Sequence, residues 1–317
     1  MSRVVAALLG LLVVSAAVAE HAEEWLLRMD QAAQTLTYEG DFVFLRGGQM
    51  RHMQALHLVN DSGTHVRIKA VDGPPIEIVA HGSQVSVAHG GQFQALPGSR
   101  DVLFSAVLPR RLWALRELYS VTLGGTERVA DRPTQVVEVR PMDDFRFGFR
   151  LWAERDQGLL LKAVMINQQG EAVEQYSFSR VDFNPDVNGQ FAAGIDEVIS
   201  TSGAESERSS QEVEWKVTEL PKGFVLRSVN RNAGEQRKPV DHLLFSDGLA
   251  TISVFVEPLQ DDSSSVSRTT NVGGVGAVTG MVANRQVTVM GEVPAETLNL
   301  ILNSVKPVTP AVEKLGD

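Results

Sequence analysis

Five short segments that alternate apolar with polar residues follow one another between tight turns over residues 38–88, and this rhythm limits the fold more than any other feature of the chain. Residues 38–46 run into Gly47-Gly48, and 50–59, 64–71, 76–80 and 84–88 follow at similar spacing. Alternation with period two sends successive side chains to opposite faces of a strand, and turns this short leave only antiparallel pairing between neighbours. The pattern returns at 135–140, 145–153, 159–167 and 172–183. Two helical stretches break it. Residues 23–35 carry Trp25, Leu26, Met29 and Ala33 at helical spacing behind Glu23 and Glu24, which suit the positive end of a helix dipole. Residues 102–119 carry Leu112, Trp113, Leu115 and Leu118 after Pro109. A large antiparallel sheet with a few helices is the α+β pattern.

A chain of 317 residues favours two domains over one. The character changes at 187–210, where Asn188, Gly189, Gly194, Ser200, Ser202, Ser206, Ser209 and Ser210 leave little apolar periodicity. This stretch is read as a linker between a domain over 20–186 and a smaller one over 211–317. The second domain is expected to hold strands near 214–219, 224–230, 240–245, 250–256 and 286–291. Pro294 then opens a helix over 295–305 whose Leu298, Ile301, Leu302 and Val305 share one face.

Residues 1–19 set the expected compartment. Arg3 precedes an apolar run from Val4 to Val14, and small residues end in Ala17-Val18-Ala19, the plan of a secretory signal peptide cut before Glu20. The run is shorter than the ~20 residues of a membrane span. In a bacterium the product would be free in the periplasm. The chain has no cysteine, so an exported domain must rely on its core rather than on disulfides. Its net charge of −10 removes the usual basis for holding nucleic acid, which needs a surplus of Lys and Arg on one face.

Catalytic and metal chemistry leave no trace. His52 and His57 are five apart, His81 and His89 fall in separate halves of a hairpin, and surface or turn positions are the better reading for isolated histidines. No serine sits in a nucleophile elbow. Gly274, Gly276 and Gly280 lack the spacing and the βαβ setting of a dinucleotide loop, and read as a hairpin in which backbones approach closely. The doublets Asp143-Asp144 and Asp261-Asp262 read as turn formers. No enzyme site, cofactor or metal is expected.

The faces of the sheet say more. Phe145, Phe147, Phe149 and Leu151 alternate with Arg146, Arg150 and Trp152, and Phe42 and Phe44 repeat the apolar half. Two readings fit. Either these apolar faces simply meet the helices, or a strongly curved sheet leaves a cavity for acyl chains, with Arg46, Arg51, Arg67, Arg110 or Arg111 near a phosphorylated head group. The lipid-binding candidates are Phe42, Phe44, Arg46, Arg67, Arg110, Arg111, Trp113, Phe147 and Phe149. In the second domain Arg227, Arg231, Arg237 and Lys238 form a basic patch in an acidic chain, either a solvated turn or a docking surface for an acidic segment.

Several runs, taken in order, resemble the MucB/RseB family: Leu27-Arg28-Met29-Asp30-Gln31-Ala32, Tyr38-Glu39-Gly40-Asp41-Phe42-Val43-Phe44, Asp72-Gly73-Pro74-Pro75, Phe245-Ser246-Asp247-Gly248-Leu249 and Val289-Met290-Gly291-Glu292-Val293-Pro294. The basic residue that commonly follows the double proline is absent here, where Ile76, Glu77 and Ala80 stand. The resemblance implies a periplasmic negative regulator of an envelope-stress sigma factor. Its expected fold is an N-terminal half-open β-barrel with helices, like the lipoprotein carrier LolA, plus a smaller C-terminal α+β domain. It further implies binding of the periplasmic part of a MucA- or RseA-type anti-sigma factor, protection of that factor from site-1 proteolysis, release by lipopolysaccharide or lipid A, and a homodimer. The partner surface is placed at Arg231, Arg237, Lys238, Phe245, Asp247 and Leu249. The first domain alone would also suit a carrier of lipid or lipoprotein.

Overall fold

The computed structural model describes residues 22–81, 84–89, 92–95, 116–186, 214–231, 240–259 and 268–308. Two compact units emerge. Unit 1 is Met1–Met142 with Gly148–Ser206, and unit 2 is Asp143–Phe147 with Glu207–Asp317. The expected signal peptide at 1–19 and the linker at 187–210 lie outside the described residues, as does most of the expected helix at 102–119.

Unit 1 opens with helix α1, residues 22–35. Its strands are β1 (Tyr38–Arg46), β2 (Gln49–Asn60), β3 (Gly63–Ala70), β4 (Ile76–His81), β5 (Gln84–His89) and β6 (Gln92–Ala95), followed by β7 (Tyr119–Val129), β8 (Arg132–Pro141), β9 (Gly148–Glu154), β10 (Leu160–Ile166) and β11 (Ala172–Asp182). They form one eleven-stranded sheet in the order β6-β5-β4-β3-β2-β1-β11-β10-β9-β8-β7. β1 lies inside it, paired antiparallel with β2 on one side and β11 on the other. Two meanders run outward from that junction and end on separate edges, β6 and β7, so the sheet is open and not a closed barrel. Ala22, Leu26, Met29 and Ala32 form the buried stripe of α1.

Turn chemistry explains where sequence reading succeeds and where it stops. Gly47 and Gly48 both take positive φ (57° and 75°), as a two-residue hairpin matched to the twist of its strands demands. The β7–β8 hairpin uses the same left-handed pair without glycine, at Ala130 and Asp131 (φ 49° and 61°), so β7 carries no glycine turn signal at that end. β9 begins at Gly148 rather than at 145. The Asp143 carboxylate accepts the Phe145 N–H at 3.1 Å and closes a turn in place of a ladder.

Unit 2 contains β12 (Trp215–Val217), β13 (Val225–Arg231), β14 (Asp241–Ser246), β15 (Thr251–Pro258), β16 (Arg268–Val272), β17 (Val275–Val282), β18 (Arg285–Gly291), helix α2 (Ala295–Ser304) and β19 (Val305–Pro307). Six of these strands form a sheet in the order β13-β14-β15-β18-β17-β16, and β12 pairs with β19. Leu298, Ile301 and Leu302 of α2 bury in one core with Ile252, Val254, Val278, Val287 and Val289. The glycine-rich stretch is strand β17 beneath that helix. A Cβ on Gly276 would stand 2.7 Å from Leu298 Cδ1, and one on Gly280 would stand 3.1 Å from Leu302 Cδ2. The missing side chains let helix and sheet close up.

Replacing Gly276 by Ala should therefore strain a core with no slack and cost unit 2 about 1–3 kcal/mol. Gly125→Ala, where an added Cβ meets nothing within 4 Å, is the control. Calorimetric melting checks this, and a Gly276→Ala transition as high as the control's would refute it.

Candidate functional site

Register decides which candidate residues share a face. Opposed residues of an antiparallel pair point the same way. Phe42 faces Met53 and Phe178, Phe44 faces Arg51 and Tyr176, and Arg46 faces Gln49 and Glu174. Glu174 faces Met165, which faces Phe149. Phe42, Phe44, Arg46 and Phe149 therefore lie on one face of the large sheet. Tyr38, His57, Tyr176 and Phe178 lie there too, and the rings touch: Phe42 is 5.5 Å from Phe178 and 6.4 Å from Tyr176, and Tyr38 is 6.1 Å from Phe178. Burial raises the Tyr38 and Tyr176 hydroxyl pKa values far above normal, so both stay neutral. This apolar aromatic face is the candidate site of unit 1.

The remaining lipid candidates part company with it. Arg67 faces Leu56 and Val79, on the opposite face of the sheet, because it is one residue out of phase with Val66, the partner of His57. Its guanidinium bonds Glu77 at 2.6 Å, so the acidic residue after the double proline neutralises it. Arg46 is likewise forked onto Glu174, at 2.6 and 3.0 Å, with its guanidinium 5.0 Å above the Phe44 ring. Phe147 is buried in the turn segment that belongs to unit 2, and is not part of the face. Arg110, Arg111 and Trp113 lie outside the described residues.

The histidines are not surface residues as a group. His57 is 1% exposed, stacks on Tyr38 at 5.1 Å, and places Nδ1 2.6 Å from the Leu36 carbonyl after α1. A carbonyl only accepts, so Nδ1 carries the proton and Nε2 is a bare acceptor. Nε2 is buried without a hydrogen-bond partner, and burial holds the imidazole pKa below its ordinary value. His65 is also buried, stacked on His81 at 4.2 Å. Among the described residues no group of three or more His, Asp or Glu could hold a metal, and no helix is long and apolar enough to cross a membrane.

In unit 2 the candidate partner residues scatter. Arg231 ends β13, an edge strand, and pairs with Glu214 and with Asp241. Upstream on that edge, Val225 and Leu226 are exposed. Phe245 points into the core, and Asp247 is buried in the turn after β14. Leu249, at the tip of that turn, is half-buried. Arg237 and Lys238 lie outside the described residues. The residue missed from sequence is Arg146, whose fully buried guanidinium bonds Asp143 and Asp247. The spacing Asp143 to Arg146 was the available signal.

Comparison with known proteins accounts for both units. Residues 21–195 match the model of the MucB/RseB N-terminal domain, and 209–306 that of the MucB/RseB C-terminal domain. The chain belongs to the MucB/RseB family. Within it, the sigma factor AlgU regulatory protein MucB of Pseudomonas aeruginosa is 31% identical, over 95% of this chain and 96% of that protein. The sigma-E factor regulatory protein RseB of Escherichia coli K12 is 26% identical over 89% of each. The structure of the Pseudomonas aeruginosa MucA/MucB complex matches with a TM-score of 0.70 at 29% identity, covering 91% of this chain and 99% of the matched one. A structure of MucB bound to MucA(peri) matches with 0.69 over the same shares.

Buried neutral imidazoles make stability depend on pH. His57 in unit 1 and His242 in unit 2 both have pKa values lowered by desolvation from 6.5. The unfolded chain thus binds protons, as pH falls through 6.5, that the folded chain still refuses, and stability declines on the acid side. Denaturant midpoints should fall between about pH 7 and pH 5, and His57→Gln should flatten the slope for unit 1. An unaltered slope in that variant would rule His57 out as the cause.

Proposed function

We propose that this protein is an exported, non-enzymatic negative regulator of an envelope-stress sigma factor. It binds the periplasmic segment of a MucA/RseA-type anti-sigma factor, shields that segment from the first protease, and lets go when lipopolysaccharide or its lipid A part binds. The reading is carried by one observation: likeness over nearly the whole length to MucB, a protein seen in complex with the periplasmic part of MucA. On this reading 20–186 senses lipid and 211–317 holds the partner, around Arg231, Arg237, Lys238 and Leu249.

The aromatic face of unit 1 supports a lipid ligand in chemical terms. Phe44 and Phe149, half-buried above the buried rings of Phe42 and Phe178, offer apolar area to acyl chains, and Arg46 and Arg51 are cations on the same face. Lipid and anti-sigma factor then oppose each other through a coupling free energy, and the effect is reciprocal: whatever lipid does to partner affinity, partner does to lipid affinity. An unpartnered lipid carrier is the competing reading, because the aromatic face alone would serve it.

Calorimetry of the Glu20–Asp317 chain against the purified periplasmic segment of the MucA-type anti-sigma factor from the same organism separates the two. Binding that added lipopolysaccharide weakens by about 5–150-fold is expected, the usual range of coupling between two ligands. No binding to the segment, with lipid still retained, would replace the regulator by the carrier.

A further inference from the structure

The segment Asp143–Phe147 lies between β8 and β9 in the chain and belongs to unit 2. Its anchor is Arg146, whose side chain is 0% exposed. The guanidinium forks onto Asp143, Nε donating to Oδ1 at 2.9 Å and Nη2 to Oδ2 at 3.0 Å. Nη2 also donates to the Lys222 carbonyl at 2.7 Å, Nη1 donates to Asp247 Oδ2, and the group lies 5.3 Å over the Phe224 ring. A second tie holds the same segment, from Thr297 Oγ1 in the first turn of α2 to the Phe145 carbonyl at 2.9 Å.

The carboxylate of Asp247 divides its two oxygens. Oδ2 takes Arg146, and Oδ1 accepts the N–H groups of Leu249 and Ala250, each at 2.8 Å. Ser246 Oγ accepts the N–H of Gly248 at 3.0 Å, where φ is 108°. The orientation of one buried carboxylate therefore sets the path of the turn from Ser246 to Ala250. A rigid, planar guanidinium bound on several sides fixes that orientation, which a single ammonium point charge does not.

We propose that Arg146 is a positioning residue for partner binding: through Asp247 it holds the Ser246–Ala250 turn in the shape that presents the half-buried Leu249 at its tip to the anti-sigma factor. This rests on the function proposed above, whose partner surface includes Arg231 and Leu249. It makes partner binding depend on a residue far outside the C-terminal stretch of the chain.

Two variants of the Glu20–Asp317 chain test it. Arg146→Lys keeps the charge and loses the fork, and Thr297→Val keeps the shape and loses the tie to Phe145. The measurements are amide hydrogen exchange at Leu249 and Ala250, cooperative unfolding of unit 2, and calorimetric binding of the purified anti-sigma segment. Both variants should unfold cooperatively, exchange these two amides faster, and bind more weakly, by about tenfold for Arg146→Lys and about threefold for Thr297→Val. Wild-type affinity despite faster exchange overturns the proposal, and so does unchanged exchange in both variants. If Arg146→Lys does not fold, Thr297→Val decides alone by the same criteria. Should the wild-type chain itself fail to bind, the proposed function falls, while exchange at the turn still decides whether Arg146 positions it.

Discussion

Unit 1 depends on the pairing of β1 with β11. The first strand of the sheet lies inside it, so its outer neighbour is supplied only when the last strand has been made, with Phe42 opposite Phe178 and Phe44 opposite Tyr176. Joining positions so far apart carries a loop-closure cost before any contact repays it, and sheets of this kind form slowly for that reason. The return is local: that junction gathers Phe42, Tyr176 and Phe178 into a single ring cluster, with Tyr38 and His57 stacked beside it. The chain's longest-range pairing and its candidate ligand face are one feature.

Much of this fold was legible because its strands obey simple rules. Alternation and glycine turns placed β1 at its observed bounds and β2 to β5 within a residue or so, and the apolar stripe behind Pro294 placed α2. The failures have local physical causes. β7 is joined to β8 by Ala130 and Asp131 in left-handed conformation, which no glycine announces. The stretch Gly274–Gly280 reads as a hairpin of closely approaching backbones, and β16 does pair with β17, but its place beneath α2, where Gly276 and Gly280 make room for Leu298 and Leu302, is a tertiary demand that local propensity does not contain. The run at 145–147 has the alternation of a strand, yet the Asp143 side chain turns it into another unit.

The sites were legible in chemistry and less so in place. Phe42 and Phe44 share a face by parity alone, but parity within one strand says nothing of the next, and only the pairing of β2 with β3 puts Arg67 on the other side. Phe245 and Asp247 belong to a family motif, and a motif does not distinguish a residue needed for burial from one needed for contact. Phe245 fills the core, and Asp247 serves Arg146 and the turn. Arg146 itself resembled the solvated arginines around it. A buried guanidinium is found by asking which carboxylates it meets, and one of them, Asp247, lies about a hundred positions away.

On the lipid-sensing reading, the state of Arg46 sets what kind of ligand the aromatic face can recognise. The arginine is not a bare cation: Glu174 already takes the Nε and Nη2 edge of its guanidinium, in a pair that is partly shielded from water. A phosphorylated head group that took that same edge of Arg46 would exchange one anion for another and leave Glu174 without its cation, so the net electrostatic gain at Arg46 is small. The free energy of binding would have to come from acyl chains covering what the half-buried Phe44 and Phe149 rings still expose, at roughly 25 cal/mol per Å² of apolar surface removed from water, since Phe42, Tyr176 and Phe178 are already buried. Head-group charge would then select among lipids that already bind through their chains. A soluble phosphate or phosphosugar, with nothing to bury, would leave the Arg46–Glu174 pair intact and the protein unswitched.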